Sequence, residues 1–275
     1  MRSGTRRKWV ITVCVLAGCY LAGMLGDAAY VAARGQDYES FTTPLPLPEG
    51  HTLVIGFLGG RDSWNDDRRS VRRLALKLRA MQLPGVHVET VENTRRDLAV
   101  RLVREAFDRN RDGQLGADER SRARLIVYGQ SFGGAAVVKF ARQLEELQVP
   151  ILLTLQIDSV GLGDDLIPAN VQRAANLYQP NGWVIKGETP IRAADPSRTQ
   201  ILGNFEYDYS KKQIDISHVP FWKKSFRYAH TRVEHDPDVW GRVEQLLLEE
   251  LKPQNEAGDE AASQMNHPNG PLPQP

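Results

Sequence analysis

Ser131 stands in the pentapeptide Gly129-Gln130-Ser131-Phe132-Gly133. An apolar run, LIVY at 125–128, leads into it, and a stretch of helical spacing, 135–147, leads out. A serine framed by glycines between a buried strand and a helix predicts a sharp corner that lifts the hydroxyl over the end of the strand. The glycines have a steric reason: strand and helix approach so closely there that a Cβ would clash. A serine hydroxyl is a weak nucleophile at neutral pH and needs an imidazole to take its proton. Three histidines follow Ser131 within 51–251: His218, His230 and His235. Two carboxylates are placed to orient an imidazole. Asp158 ends the apolar run ILLTLQI, and Asp208 follows the candidate strand 200–205.

Alternating elements must carry these groups. Residues 52–58 (TLVIGFL) form a continuous apolar run that ends at Gly59-Gly60, and 151–157 form another. Shorter strand candidates fall at 86–91, 125–128 and 213–217. Helical spacing occupies 70–81, 97–107, 135–147 and 238–251, each with its apolar residues on one stripe. Asp236 is placed to cap the last helix, with Pro237 at its first position. Buried-type strands alternating with helices predict an α/β fold, a mainly parallel sheet flanked by helices.

The pentapeptide in this setting resembles the nucleophile elbow of the α/β-hydrolase superfamily, above all its lipase, esterase and thioesterase members, over about residues 52–251. The resemblance implies the chain order serine, acid, histidine, with the histidine in the loop before the last helix. It makes Ser131 the nucleophile and His230 the first choice of base, with His218 the serious rival and His235 nearly on the helix. It favours Asp158 as the acid, although many members take theirs from the following strand, which keeps Asp208 in play. It implies two oxyanion donors, the N–H of Phe132 and one from the loop after the first strand. Aligning Ile55-Gly56 with the family's His-Gly pair points to Phe57, and the extra residue before the double glycine leaves Leu58 open. Residues 160–199, which include Tyr178 and Trp183, read as a cap over the site. The implied activity is hydrolysis of an ester or thioester, small-molecule or lipid. A binding protein on the same fold, or an acyltransferase or peptidase using the same triad, stands as the alternative.

A second pattern lies at 108–119, DRNRDGQLGADE. It matches an EF-hand calcium loop, with Asp108, Asn110 and Asp112 at its first, third and fifth places. Gly113 is at the turn, the carbonyl of Gln114 at the seventh place and Glu119 at the twelfth. Calcium in a structural role is the implied cofactor. The match stands alone, without the usual second EF-hand.

Composition bounds the rest. A 275-residue chain with 41% hydrophobic and 25% charged residues suits one sizeable domain with tails. A formal net charge of +1 gives no global field toward nucleic acid. Arg2, Arg6, Arg7 and Lys8 precede an apolar run at 9–26, which reads as an export signal. Leu16-Ala17-Gly18-Cys19 within it resembles a lipobox, so 1–34 is expected to be a lipoprotein signal, a retained membrane anchor or a cleaved leader. The chain is therefore expected on the extracytoplasmic side, tethered or secreted. Both cysteines, Cys14 and Cys19, fall in that segment, leaving 51–251 without thiol or disulfide. Residues 35–50, with Pro44, Pro46 and Pro48, read as a linker, and 252–275 as a disordered tail.

Overall fold

A computed structural model describes residues 35–181, 187, 190–217, 219 and 221–252. The export segment 1–34, the tail beyond 252, Trp183 and His218 lie outside them. The strands are β1 (Thr52–Leu58), β2 (Val86–Glu92), β3 (Arg124–Gln130), β4 (Ile151–Ile157), β5 (Leu166–Ile167), β6 (Val171–Tyr178), β7 (Arg192–Ala193) and β8 (Gln200–Glu206). The helices are α1 (Ser70–Ala80), α2 (Arg96–Phe107), α3 (Ala117–Ser121), α4 (Phe132–Glu146), α5 (Phe221–His235) and α6 (Pro237–Leu251).

Six strands form one sheet in the order β2-β1-β3-β4-β6-β8, and every pairing is parallel. Side chains of β1 alternate between the two faces, as strand geometry requires. Leu53, Ile55 and Phe57 join the core under α2 and α4, while Val54 and Leu58 join the core under α1 and α6. Both faces are thus covered, which is why β1 and β4 are buried along their whole length and almost wholly apolar. Each fully buried leucine or phenylalanine contributes about 1.5–3 kcal/mol of transfer free energy. The result is an α/β fold, a parallel six-stranded sheet flanked by helices on both faces. The chain runs from β1 outward to β2, then returns past β1 to β3 and continues the other way. The reversal makes a crevice at the C-terminal ends of β1 and β3, where ligands of open parallel sheets bind.

Four expectations are corrected. Residues 35–50 are no free linker. Glu89, 2% exposed on β2, accepts bonds from the N–H and the hydroxyl of both Thr42 and Thr43 at 2.7–3.0 Å. The side-chain amide of Gln36 donates to the carbonyl of Thr90 at 2.9 Å and accepts from the N–H of Glu92 at 3.1 Å, and Leu47 is buried. The segment covers the open edge of β2. The described residues of 160–199 do not form a separate cap either. Their middle forms β6, which pairs with β4 and β8 in the main sheet, while β5 and β7 make a separate two-stranded sheet. Residues 213–217 form no strand. His230 lies on a helix, α5, rather than in a loop. The cap of the last helix does form, with Asp236 accepting from the N–H of Asp238 at 3.0 Å and Pro237 at the first position.

Candidate active site

β3 delivers Ser131 at a corner with φ 58° and ψ −126°, a conformation that costs a non-glycine residue about 1–3 kcal/mol. Four backbone hydrogen bonds hold it there. The Ser131 N–H donates to the carbonyl of Ile157 at 2.9 Å. Its own carbonyl accepts from Gly134 at 2.9 Å, Val160 at 3.1 Å and Ala135 at 3.3 Å. Gly133 shows why the corner needs glycine: a Cβ there would lie 2.1 Å from the carbonyl oxygen of Phe57. Ser131 itself is 8% exposed.

The bond from Ser131 to Ile157 ties the end of β3 to the end of β4, and Asp158 is the next residue. It too lies at positive φ, 44°, and is fully buried. Its N–H donates to the carbonyl of Leu177 at 2.7 Å, which turns its side chain across the end of β6. Asp158 Oδ2 lies 2.6 Å from His230 Nδ1. Gln179 supplies weaker support, with its N–H and Nε2 at 3.4 and 3.5 Å from the two carboxylate oxygens. Two strained non-glycine residues therefore stand at adjacent strand ends, linked by one backbone hydrogen bond, and one of them grips a buried imidazole.

α5 is fixed behind His230. Arg232 donates to the carbonyls of Tyr209 at 2.8 Å and Lys212 at 3.1 Å. Asp236, just past the helix, is fully buried and accepts from Tyr209 Oη at 2.7 Å and from Lys212 Nζ at 2.7 and 2.8 Å. Burial, and then the bond to Asp236, hold the Tyr209 phenol well above the usual tyrosine range. Asp208, the other carboxylate considered, is exposed and serves a turn, accepting from Asn181 Nδ2 at 2.9 Å and the N–H of Ser210 at 2.7 Å. His235 ends α5.

The oxyanion loop differs from expectation. Phe57 is a strand residue, paired with Val91 on one side and Gly129 on the other, with its ring in the core. Gly56 is also inside β1, and its missing side chain makes room for Tyr128, whose ring carbon lies 2.6 Å from where a Cβ would be. The chain leaves the sheet only after Leu58. The residue that reaches the nucleophile is Gly59, where a Cβ would lie 3.0 Å from Ser131 Cβ. Phe132 opens α4 directly after Ser131. Its ring is 48% exposed, and Leu162 and Tyr228, also exposed, sit on the loop after β4 and on α5.

The loop 108–119 uses its acids on itself. Glu119 Oε1 accepts from the N–H of Arg109 at 2.8 Å and Asn110 at 3.2 Å, and Oε2 from Gly116 at 2.9 Å. These bonds, that of Gly116 foremost, hold the Glu119 carboxyl below the usual range. Asp108 accepts from the N–H of Asp112 and Gly113, and Asp112 from that of Gln114. The Asn110 amide bonds Asp112 Oδ2 at 2.9 Å. Among the described residues, no three acidic, histidine or cysteine side chains gather around one point as metal ligands.

No family model and no curated protein sequence matches the chain. Among solved structures it is similar to an uncharacterized protein from Pseudomonas aeruginosa, with 13% identity over 57% of this chain and a TM-score of 0.38. The match spans only 40% of that protein's length. It is also similar to a cutinase-like protein from Cryptococcus sp., with 14% identity, 73% of this chain, 95% of the other and a TM-score of 0.40. A dienelactone hydrolase from Anabaena variabilis matches with 13% identity, 74% of this chain, 88% of the other and a TM-score of 0.37.

Proposed function

We propose that this chain is a serine hydrolase that cleaves an ester or thioester. The observation that carries the reading is the 2.6 Å pair of Asp158 and His230, anchored through Ile157 to the strained corner of Ser131. An Nδ1–H donated to Asp158 leaves the lone pair on His230 Nε2, the tautomer a general base requires. In the proposed reaction Ser131 Oγ attacks the acyl carbon while Nε2 takes its proton. The carbonyl becomes an oxyanion at the N-terminus of α4, facing the N–H of Phe132. Nε2 then returns the proton to the leaving oxygen or sulfur, and the carbon–leaving-group bond breaks. Water, deprotonated by the same nitrogen, attacks the acyl carbon, and as the acyl–Oγ bond breaks Nε2 returns the proton to Ser131 Oγ and the acid leaves. Asp158 holds the ring and stabilises the imidazolium in both halves.

Labelling with a fluorophosphonate, followed by mass spectrometry, tests this. One adduct on Ser131, lost in Ser131→Ala and slowed in His230→Ala, is the expected result. A folded protein that takes no label would overturn the reading and leave a binding protein on this fold.

Two further proposals rest on sequence patterns. The export segment 1–34 is proposed to hold the domain on the extracytoplasmic side, which fractionation of cells expressing the full chain would test. The loop 108–119 is proposed to bind calcium. Its donors are all oxygen, as calcium prefers, but Glu119 must exchange three N–H bonds for the ion before the donors converge. A melting temperature that rises with calcium and falls with chelator supports binding, and an unchanged one removes it.

A further inference from the structure

Asn93 follows β2, on the opposite side of β1 from Ser131. Its side-chain Nδ2 donates to two carbonyls of the loop that leaves β1, Leu58 at 3.0 Å and Gly60 at 2.6 Å. The carbonyl between them, that of Gly59, accepts from the N–H of Asp62 at 3.0 Å, so all three are engaged. Asn93 is itself held, since its carbonyl accepts from Arg96 at 2.8 Å. Gly60 has a φ of +54°, which suits the tight turn the loop makes.

The consequence is directional. In a trans peptide the C=O and N–H point in opposite directions. A Leu58 carbonyl drawn toward Asn93, on the β2 side, turns the N–H of Gly59 toward the β3 side. Ser131 stands on that side, against Gly59. We infer that Asn93 is a positioning residue that aims the N–H groups of loop 58–60 at the oxyanion formed on Ser131, with Gly59 as the second donor in place of Phe57. The inference rests on the proposed hydrolase reading for its chemistry, but the geometry stands without it.

Three substitutions grade the effect. Asn93→Asp is isosteric but removes both donors and sets a carboxylate against two carbonyls. Asn93→Ala removes the group, and Asn93→Ser keeps one donor. Removing an oxyanion donor outright costs about 10²–10³ in kcat. A misaimed donor is therefore expected to lower kcat per titrated site by about ten- to a hundred-fold, in the order Asp, Ala, Ser, with KM within about two-fold. A residue that served only folding would lower the melting temperature and leave kcat per active site unchanged, and that result would overturn the inference. Hydrogen exchange of the Gly59 and Gly60 amides is measured on the same variants. Exchange that accelerates in Asn93→Asp while Ser131 takes no label in the wild type would retain the loop-fixing role and discard the hydrolase reading. Unchanged exchange in all three variants would discard Asn93 whatever the activity.

Discussion

Gly187 packs so tightly on Asp158 that a methyl group at residue 187 would lie 2.2 Å from the carboxylate Oδ1 and 3.1 Å from the Cα. The acid of the pair is thus shut from solvent by a piece of backbone that tolerates no side chain. Gly187→Ala must push the carboxylate or the segment aside. A shift of about 1 Å at a catalytic group costs about 10²-fold in rate. The expected outcome is a loss of about that size in kcat/KM, with stability lowered by about 1–3 kcal/mol, the cost of overpacking. Full activity in Gly187→Ala would mean that the segment yields and the carboxylate keeps its place.

Asp158→Asn tests the tautomer directly. The amide keeps the shape but can donate to Nδ1, which favours the proton on Nε2 and so disables the base. In serine proteases the equivalent change lowers kcat by about 10⁴. A similar loss is expected here, with the fluorophosphonate rate falling in parallel. If the Asp158→Asn variant kept more than about a tenth of wild-type activity, the acid would have to be sought elsewhere, although Asp208 sits in an exposed turn.

What the sequence disclosed depended on how local each signal was. β1 and β4 were legible to the residue because burial on both faces leaves only Thr52 polar in TLVIGFL and only Thr154 and Gln156 in ILLTLQI. β6, VQRAANLY, was missed because Arg173, which pairs with Glu250 of α6, and Asn176, which bonds Asn204, interrupt the apolar pattern. Ser131 carried a motif, and Asp158 stood out as an acid directly after a buried strand. His230 was reachable only through chain order, since α5 spreads its charges along FWKKSFRYAHTRVEH and hides its period. The double glycine at 59–60 marked the end of β1 but not its contact with Ser131, and Asn93 and Gly187 had no local signal. Their contacts exist only once three strand ends meet. The spacing at 108–119 was plain, but a spacing does not say whether its oxygens hold an ion or the loop's own N–H groups.

That loop gives a pH prediction. The carboxyl of Glu119 is held below its ordinary value of 4.5 by N–H bonds from Gly116, Asn110 and Arg109. A lowered carboxyl pKa means the unfolded or opened loop binds the proton more readily. The stabilisation is complete above the ordinary value and is lost as pH falls through the lowered one. The protection factors of the amides at 108–119, with the intrinsic pH dependence of exchange divided out, are expected to be level above about pH 5 and to fall below about pH 4. Glu119→Gln should flatten that dependence. Protection factors that stay level down to about pH 3 in the wild type would show that the clasp contributes nothing.

Gly241 offers a stabilising change. It lies inside α6, away from positive φ, and a Cβ there meets no atom within 4 Å. Helix interiors disfavour glycine relative to alanine by about 0.5–1 kcal/mol. Gly241→Ala should raise stability by about that amount in urea unfolding, with activity unchanged. A destabilised variant would mean that α6 is covered by something outside the described residues.

Asp236 is the joint on which the helix of His230 depends. It caps α6, takes the hydroxyl of Tyr209 and the ammonium of Lys212, and is fully buried. Asp236→Ala leaves the Tyr209 hydroxyl and the N–H of Asp238 without their acceptor. Lys212 suffers less, because it is partly exposed and keeps Asp238 at 2.7 Å. A lost cap costs about 1 kcal/mol, and breaking one side of a buried charged cluster about 3–5 kcal/mol. The solvent access of Lys212 argues for the lower end, so about 3 kcal/mol is expected in urea unfolding. Asp236→Asn keeps the cap and one acceptor and should lose about half as much. The kinetic expectation separates this joint from the site itself. Asp236 touches neither Ser131 nor His230, so at low temperature the variant should keep kcat within a few-fold and lose activity early on warming. A large loss of kcat in a cold, fully folded Asp236→Asn would instead mean that the Tyr209–Lys212 cluster sets the position of His230 in the reaction.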